Sequence, residues 1–224
     1  MAILGEIMRF MNNITDPRPH FGEAARIAGI AIAAVQPDQL RLPTPCDDYD
    51  VQALMGHLLA VLGRITALGN GEDPMSVPKV VTAVHPDCWV QAWSHASDAA
   101  NAAWTDAAKL EQVMTLPWAT APGAAMVAMY TSELSVHTWD LAVTTKQTPR
   151  WNPSVLEASL ATAHQALPPG DRVAMFEQMK PNLPAELAAG GPPFGNPIPI
   201  AEDAPLIDRL VAFYGHSAPS QLAG

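Results

Sequence analysis

From Ala124 to Lys146 neither glycine nor proline interrupts a run of helix formers. No other feature constrains the fold so tightly. A breaker-free segment of this length reads as one long helix, and its neighbours must cover it. Within it lie Tyr130, Glu133, His137 and Asp140. Helical geometry puts Glu133 and His137, four residues apart, on one face a turn from each other, with Asp140 three further on near that face. Their neighbours at helical spacing are Met126, Met129, Tyr130, Leu134, Val136 and Leu141, which are largely apolar. A carboxylate and an imidazole beside an apolar stripe are costly to bury unless paired or bound to a cation. The pair therefore marks a candidate site.

The rest of the chain supplies partners for that helix. Met1 to Phe21 reads as a lead-in with a short helix, broken by Pro17 and Pro19. Phe21 to Gln36 carries the helical stripe Ile27, Ile30, Ala31 and Ala34, and stops before Pro37. After a loop from Arg41 to Tyr49, Asp50 is placed to cap a helix from Val51 to about Leu68, ended by Gly69 to Gly71. His57 falls on the core side of that helix, among Leu54, Leu58 and Val61. The β-branched run Val80 to Val84 is too short to assign. A third helix is expected from Pro86 to Leu110, with Trp89, Trp93 and Trp104 inward as core or as a dimer contact. Pro117 and Pro122 bracket a loop. Further helices are expected over Pro153 to Leu167 and Arg172 to Lys180. The Pro- and Gly-rich stretch from Pro181 to Pro205 reads as an ordered strap, burying Phe194, Ile198 and Ile200, before a closing helix from Asp203 to Tyr214. Four long amphipathic helices make this an all-α four-helix bundle. The expected division is a bundle domain over 1–180, with a strap and closing helix over 181–224 packed on it.

Composition matters here for what it excludes. The net charge of -10, with only 12 Lys and Arg and no cluster of them, argues against nucleic acid as a partner. No window approaches eighteen uninterrupted apolar residues, so no membrane span is expected. Met1 to Phe10 has no basic start or small-residue cleavage site, so no secretory leader is expected and the location is cytoplasmic. Cys46 and Cys88 are too few for a disulfide framework and read as reduced thiols. Neither a Gly-rich phosphate loop nor a serine-nucleophile motif is present.

His57, Glu133 and His137 thus converge on the core from two helices. Two imidazoles and a carboxylate suit zinc or another divalent first-row metal and leave a coordination position open. The same three residues also suit a plain buried His–Glu hydrogen bond. Asp140 is either an acceptor orienting His137 or His57, or a helix-surface carboxylate. Asp47 and Asp48 read as turn residues or as part of a pocket mouth, and Cys46 as a small packing residue near the His57 helix. His20, His85, His95, His164 and His216 have no partner at ligand spacing and read as surface or polar-packing residues.

Two motifs sharpen the choice. Pro43-Thr-Pro-Cys46 leads through Tyr49, Val51 and Leu54 to His57-Leu58, and Glu133-Leu-Ser-Val-His137 leads to Trp139-Asp140-Leu-Ala142. Together with Asp203-Ala-Pro and Asp208-Arg209 near the end, they resemble the DinB/YfiT-like superfamily, in the branch of mycothiol-dependent maleylpyruvate isomerase and its relatives. Where that family has a loop tryptophan this chain has Tyr49, and it is too short for the isomerase's extra C-terminal domain. The resemblance implies a DinB-like four-helix bundle with a metal on His57, Glu133 and His137. The metal would be zinc, with nickel, iron or manganese as alternatives. It also implies a low-molecular-weight thiol cofactor such as mycothiol and a small electrophile as substrate, in an S-transferase or isomerase, with a homodimer as a possible assembly. The other classes left open are a non-catalytic metal-binding bundle, serving as sensor or dimeric interaction module, and a metal-dependent hydrolase.

Overall fold

Pro17 and Pro19 open a helix instead of breaking one. In a computed structural model, which describes residues 16–46, 49–117, 119–182, 188–189, 192 and 194–217, helix α1 spans Arg18–Ala33 with Pro17 just ahead of it. Proline is tolerated there because first-turn N–H groups have no intrahelical acceptor. The lead-in helix expected before residue 16 lies outside the described residues. Helix α2 (Val51–Asn70) begins where Asp50 accepts a hydrogen bond from Ala53 N at 2.8 Å, and ends at left-handed Gly71. Helix α3 (Trp89–Ala103) is shorter than the periodicity predicts, and a separate turn, α4 (Ala108–Glu111), follows it. The reason is a tertiary contact. Trp104 turns inward to donate its indole N–H to Ile65 O at 2.8 Å. The carbonyls left at the end of α3 are taken by cations: Arg18 reaches Trp104 O and Thr105 O, and Lys109 reaches Ala103 O.

The segment around Pro117, expected as a loop, is a small antiparallel hairpin of β1 (Val113–Leu116) and β2 (Ala119–Pro122), in register Val113 with Pro122. Four-residue strands carry too little alternation to be read against background. Helix α5 (Gly123–Thr144) follows directly, then α6 (Pro153–Ala166), α7 (Arg172–Met179) and α8 (Leu206–Phe213).

Helices α1, α2, α3 and α5 close into a four-helix bundle, in which α1 and α2 each pack on both α3 and α5. Leu54, Leu58, Leu62, Ile65, Met126, Leu134 and Leu141 are fully buried at its centre. Trp89, Trp93 and Trp104 are buried within the chain, so they are core residues. Among the described residues α2 is the one helix long and apolar enough to cross a membrane by length and composition, but 72% of that apolar window is buried inside the bundle. Its apolarity matches a core position.

A second apolar cluster lies between α5 and the elements that follow it. Val136 and Trp139 of α5, Leu156 and Leu160 of α6, and Ile207, Leu210 and Val211 of α8 form it, with Phe194 of the strap half-buried against it. Buried Arg172 ties the pieces together, donating to Pro168 O, Gly195 O and Phe213 O while its guanidinium lies 4.4 Å from the Phe213 ring centroid. Removing residues 191–224 strips this cluster of several large side chains, each contributing about 1.5–3 kcal/mol. The melting temperature of the shortened chain should fall by about 5 °C or more in calorimetry. Equal melting of the two forms would show that the closing segment adds no stability.

Candidate metal centre

The site is assembled from α2 and α5, with a contact from the loop that follows α2. At Gly56 the helix surface is bare, and a Cβ there would lie 2.4 Å from Val81 O. The absence of a side chain lets the 79–81 segment lie against α2, with Val81 N donating to Gly56 O at 3.0 Å. That close approach brings Lys79 O to 3.0 Å from His57 Nδ1. A carbonyl only accepts, so Nδ1 carries the proton and Nε2 is left with its lone pair. Tyr49 stacks on the same ring at 5.0 Å between centroids and 25°.

On α5 the polar residues that interrupt the apolar surface are satisfied within the helix. Thr131, Ser135 and Thr138 donate to Val127 O, Thr131 O and Leu134 O. Glu133 and His137 turn toward α2. Nε2 of His57 stands 3.5 Å from Glu133 Oε1, and the rings of His57 and His137 meet edge to face at 4.8 Å. One donor atom from each of His57, Glu133 and His137 lies within 4.8 Å of the other two. The two imidazoles are largely buried, whereas the Glu133 side chain keeps 32% of its surface exposed and marks the open side.

Asp140 lies at the back of this group. It has no exposed surface, which settles its place in the interior and not on the helix surface. Its Oδ2 accepts from His137 Nδ1 at 3.0 Å and its Oδ1 from His216 Nδ1 at 2.7 Å. As with His57, the Nδ1 proton of His137 is committed to an acceptor and Nε2 is presented forward. An imidazole whose rear nitrogen is held by a carboxylate or carbonyl is the usual form of a metal-binding histidine. The donor chemistry therefore fits a divalent ion. Burial works to raise both carboxyls. At Glu133 the close approach of His57, with the nearby His137 and Arg64, outweighs it, holding the group below the ordinary carboxylate range. At Asp140 the hydrogen bonds from His137 and His216 do the same. Burial, reinforced by the charge of Glu133, pushes the Tyr130 phenol well up, so it stays protonated.

The three residues singled out in the sequence are thus brought together, with Asp140 as their support. His216, expected at the surface or in polar packing, instead reaches Asp140 from the end of the chain. No spacing rule connects residues 76 apart, so no sequence signal pointed to it. Of the other histidines, His164 lies against Phe213 with the rings tilted at 45°, and His85 is paired with Asp87. Cys46 is half-buried against the main core and is not joined in a disulfide. Asp47 and Asp48 lie outside the described residues.

Because Asp140 is depressed in the folded state, its contribution to stability is fully present above the unfolded carboxyl value of about 3.9 and is lost as pH falls through the folded value. Unfolding of the wild type should therefore become easier as pH drops below about 4. Asp140→Asn should be less stable at neutral pH and show a shallower acid dependence in denaturant titrations. Parallel pH profiles would place the sensitivity elsewhere.

Comparison with known proteins places these residues in context. The family model for the mycothiol maleylpyruvate isomerase N-terminal domain matches residues 21–142, more than half of the chain, including His57, Glu133, His137 and Asp140. The chain is similar to two uncharacterized proteins of Mycobacterium tuberculosis, Rv0738 of strain H37Rv and MT0763 of strain CDC 1551. Each is 26% identical over 187 residues, covering 83% of this chain and 90% of the relative. A crystal structure of a histidine-to-alanine mutant of the mycothiol-dependent maleylpyruvate isomerase shares the fold, with a TM-score of 0.51 at 15% identity over 68% of this chain and 69% of that one.

Proposed function

The chain belongs to the DinB-like family of the mycothiol maleylpyruvate isomerase N-terminal domain, and from that membership and its donor geometry we propose that it is a metal-dependent enzyme using a low-molecular-weight thiol. His57, Glu133 and His137 hold one divalent ion, zinc first, and a small electrophile is the substrate for S-transfer or isomerisation. One observation carries this: both imidazoles have their Nδ1 protons committed, to Lys79 O and to Asp140, while one donor atom of each lies within 4.8 Å of a Glu133 oxygen. A simple buried His–Glu pair would require one such arrangement, not two converging on the same carboxylate. A divalent ion bound there favours the anionic form of a thiol that reaches it, making a nucleophile available at neutral pH.

The protein's own groups set the terms for that chemistry. Glu133 contributes one negative charge and the histidines none, so the donor set undercompensates a doubly charged cation and favours an anionic further ligand. The neutral Tyr130 phenol lies in the Glu133 environment and the ring of Tyr49 covers His57, limiting water on that side. The name of the structural neighbour supplies mycothiol as the first thiol to try. We place the protein in the cytoplasm, where such thiols are held reduced.

Purified protein should contain about one divalent ion per chain, and His57→Ala and His137→Ala should each lose most of it, as the loss of one of three donors implies. With cobalt in place of the native ion, one of mycothiol, bacillithiol or glutathione should raise a near-ultraviolet charge-transfer band from sulfur ligation, and Cys46→Ser should leave it intact. Unchanged metal content in both histidine variants would remove the triad. Bound cobalt with no band from any thiol would remove the thiol and bring hydroxide-based hydrolysis or a non-catalytic metal bundle forward.

A further inference from the structure

We propose that His216 is a positioning residue of the metal centre, holding the Asp140 carboxylate in the orientation that fixes the His137 imidazole. The purpose of this bond rests on the metal-binding function proposed above, but its geometry does not.

The local chain is built to deliver that ring. Helix α8 ends in a Schellman cap: Gly215 is left-handed at φ 91, Gly215 N donates to Ala212 O at 3.1 Å, and His216 N donates to Val211 O at 2.9 Å. Gly215 also crosses the strap closely, and a Cβ on it would lie 2.7 Å from Gly195 Cα. Left-handed φ and lack of space both require glycine there. The residue after such a glycine ordinarily returns an apolar side chain to its own helix. Here it is a histidine, and its ring goes to another helix, 2.7 Å from Asp140 Oδ1 with the side chain 17% exposed.

The carboxylate needs this second donor. Asp140 has no exposed surface, and its two oxygens are divided, one to His137 and one to His216. A buried carboxylate with one oxygen unpaired rotates toward any remaining donor, and the position of His137 follows it. His216 itself is not in the group of mutually close donor atoms, so it acts through Asp140 and not on the ion. Its ring stands 6.2 Å from that of His137, near enough to complete a His137–Asp140–His216 line.

The test compares wild type, His216→Ala and His216→Asn in the full chain, since the asparagine amide N–H occupies the place of Nδ1–H. Imidazole nitrogen resonances of His137, read by NMR in metal-free protein at one fixed pH, report its tautomer directly. Chelator competition then gives the zinc or cobalt affinity. In His216→Ala the single His137 tautomer should give way to a mixture, and metal affinity should fall about tenfold or more, the effect typical of lost support behind a ligand. His216→Asn should recover most of both. If the alanine variant does not fold, His216→Gln takes its place with the same expectations, because its longer side chain misplaces the donor. Unchanged His137 resonances, or an asparagine variant as impaired as alanine, would overturn the proposal and leave His216 as packing. A wild type that takes up no ion would instead overturn the metal-dependent function, and the His137 resonances alone would then decide the role of His216.

Discussion

A carboxylate with no exposed surface is tolerated in a protein only when charge-assisted hydrogen bonds replace its lost water, and Asp140 meets that requirement through two histidines. Much of the site depends on this arrangement. It sets the tautomer of His137 and so decides which nitrogen faces Glu133. It also brings the end of the chain to α5, because His216 arrives there only if α8 packs on α5 and α6 and turns at Gly215. The apolar cluster around Leu210 and Val211 therefore serves electrostatics as well as stability: it holds a polar donor against a buried acceptor.

The rest of the interior is arranged so that few polar groups compete with that centre. Threonine and serine hydroxyls along α5 return to carbonyls of their own helix, and the indoles of Trp93 and Trp104 donate to Ala25 O and Ile65 O. Several cations are used at backbone carbonyls. Arg172 gathers the carbonyls where strap and closing helix meet, and Arg18 and Lys109 take those at the end of α3. Arg64 likewise donates to Val77 O, and its charge is also felt at Glu133, which helps keep that carboxylate ionised despite its surroundings.

What was legible in the sequence follows the range of the forces involved. The helix carrying Glu133 and His137 was readable because i, i+4 geometry is local, and the Asp50 cap and the apolar stripe placed His57 on the inner face of α2 for the same reason. The early end of α3 was not readable, since Trp104 leaves the helix for a carbonyl on α2, a tertiary bond that overrides periodicity. The hairpin at 113–122 is too short to alternate visibly. Of the support behind the candidate ligands, Asp140 was visible as an option because it shares a helix with His137. Lys79 O and His216 were not, because one is a backbone atom and the other a histidine at the far end of the chain.

That division also describes how the molecule is put together. The donor residues and Asp140 lie within 21–142, the span shared with the family, whereas His216 lies beyond it. The four-helix bundle is thus sufficient to bring two imidazoles and a carboxylate together, since α2 and α5 are neighbours in it. It is not sufficient to satisfy Asp140, which has two oxygens and, among the described residues, one donor within the shared span. The second donor must come from elsewhere, and in this chain the strap and closing helix bring it by burying their own apolar face against α5 and α6. Packing outside the bundle and polar order inside it are therefore linked through one carboxylate. A change in the docking of α8 is felt at His137 without any of the three donor residues being altered.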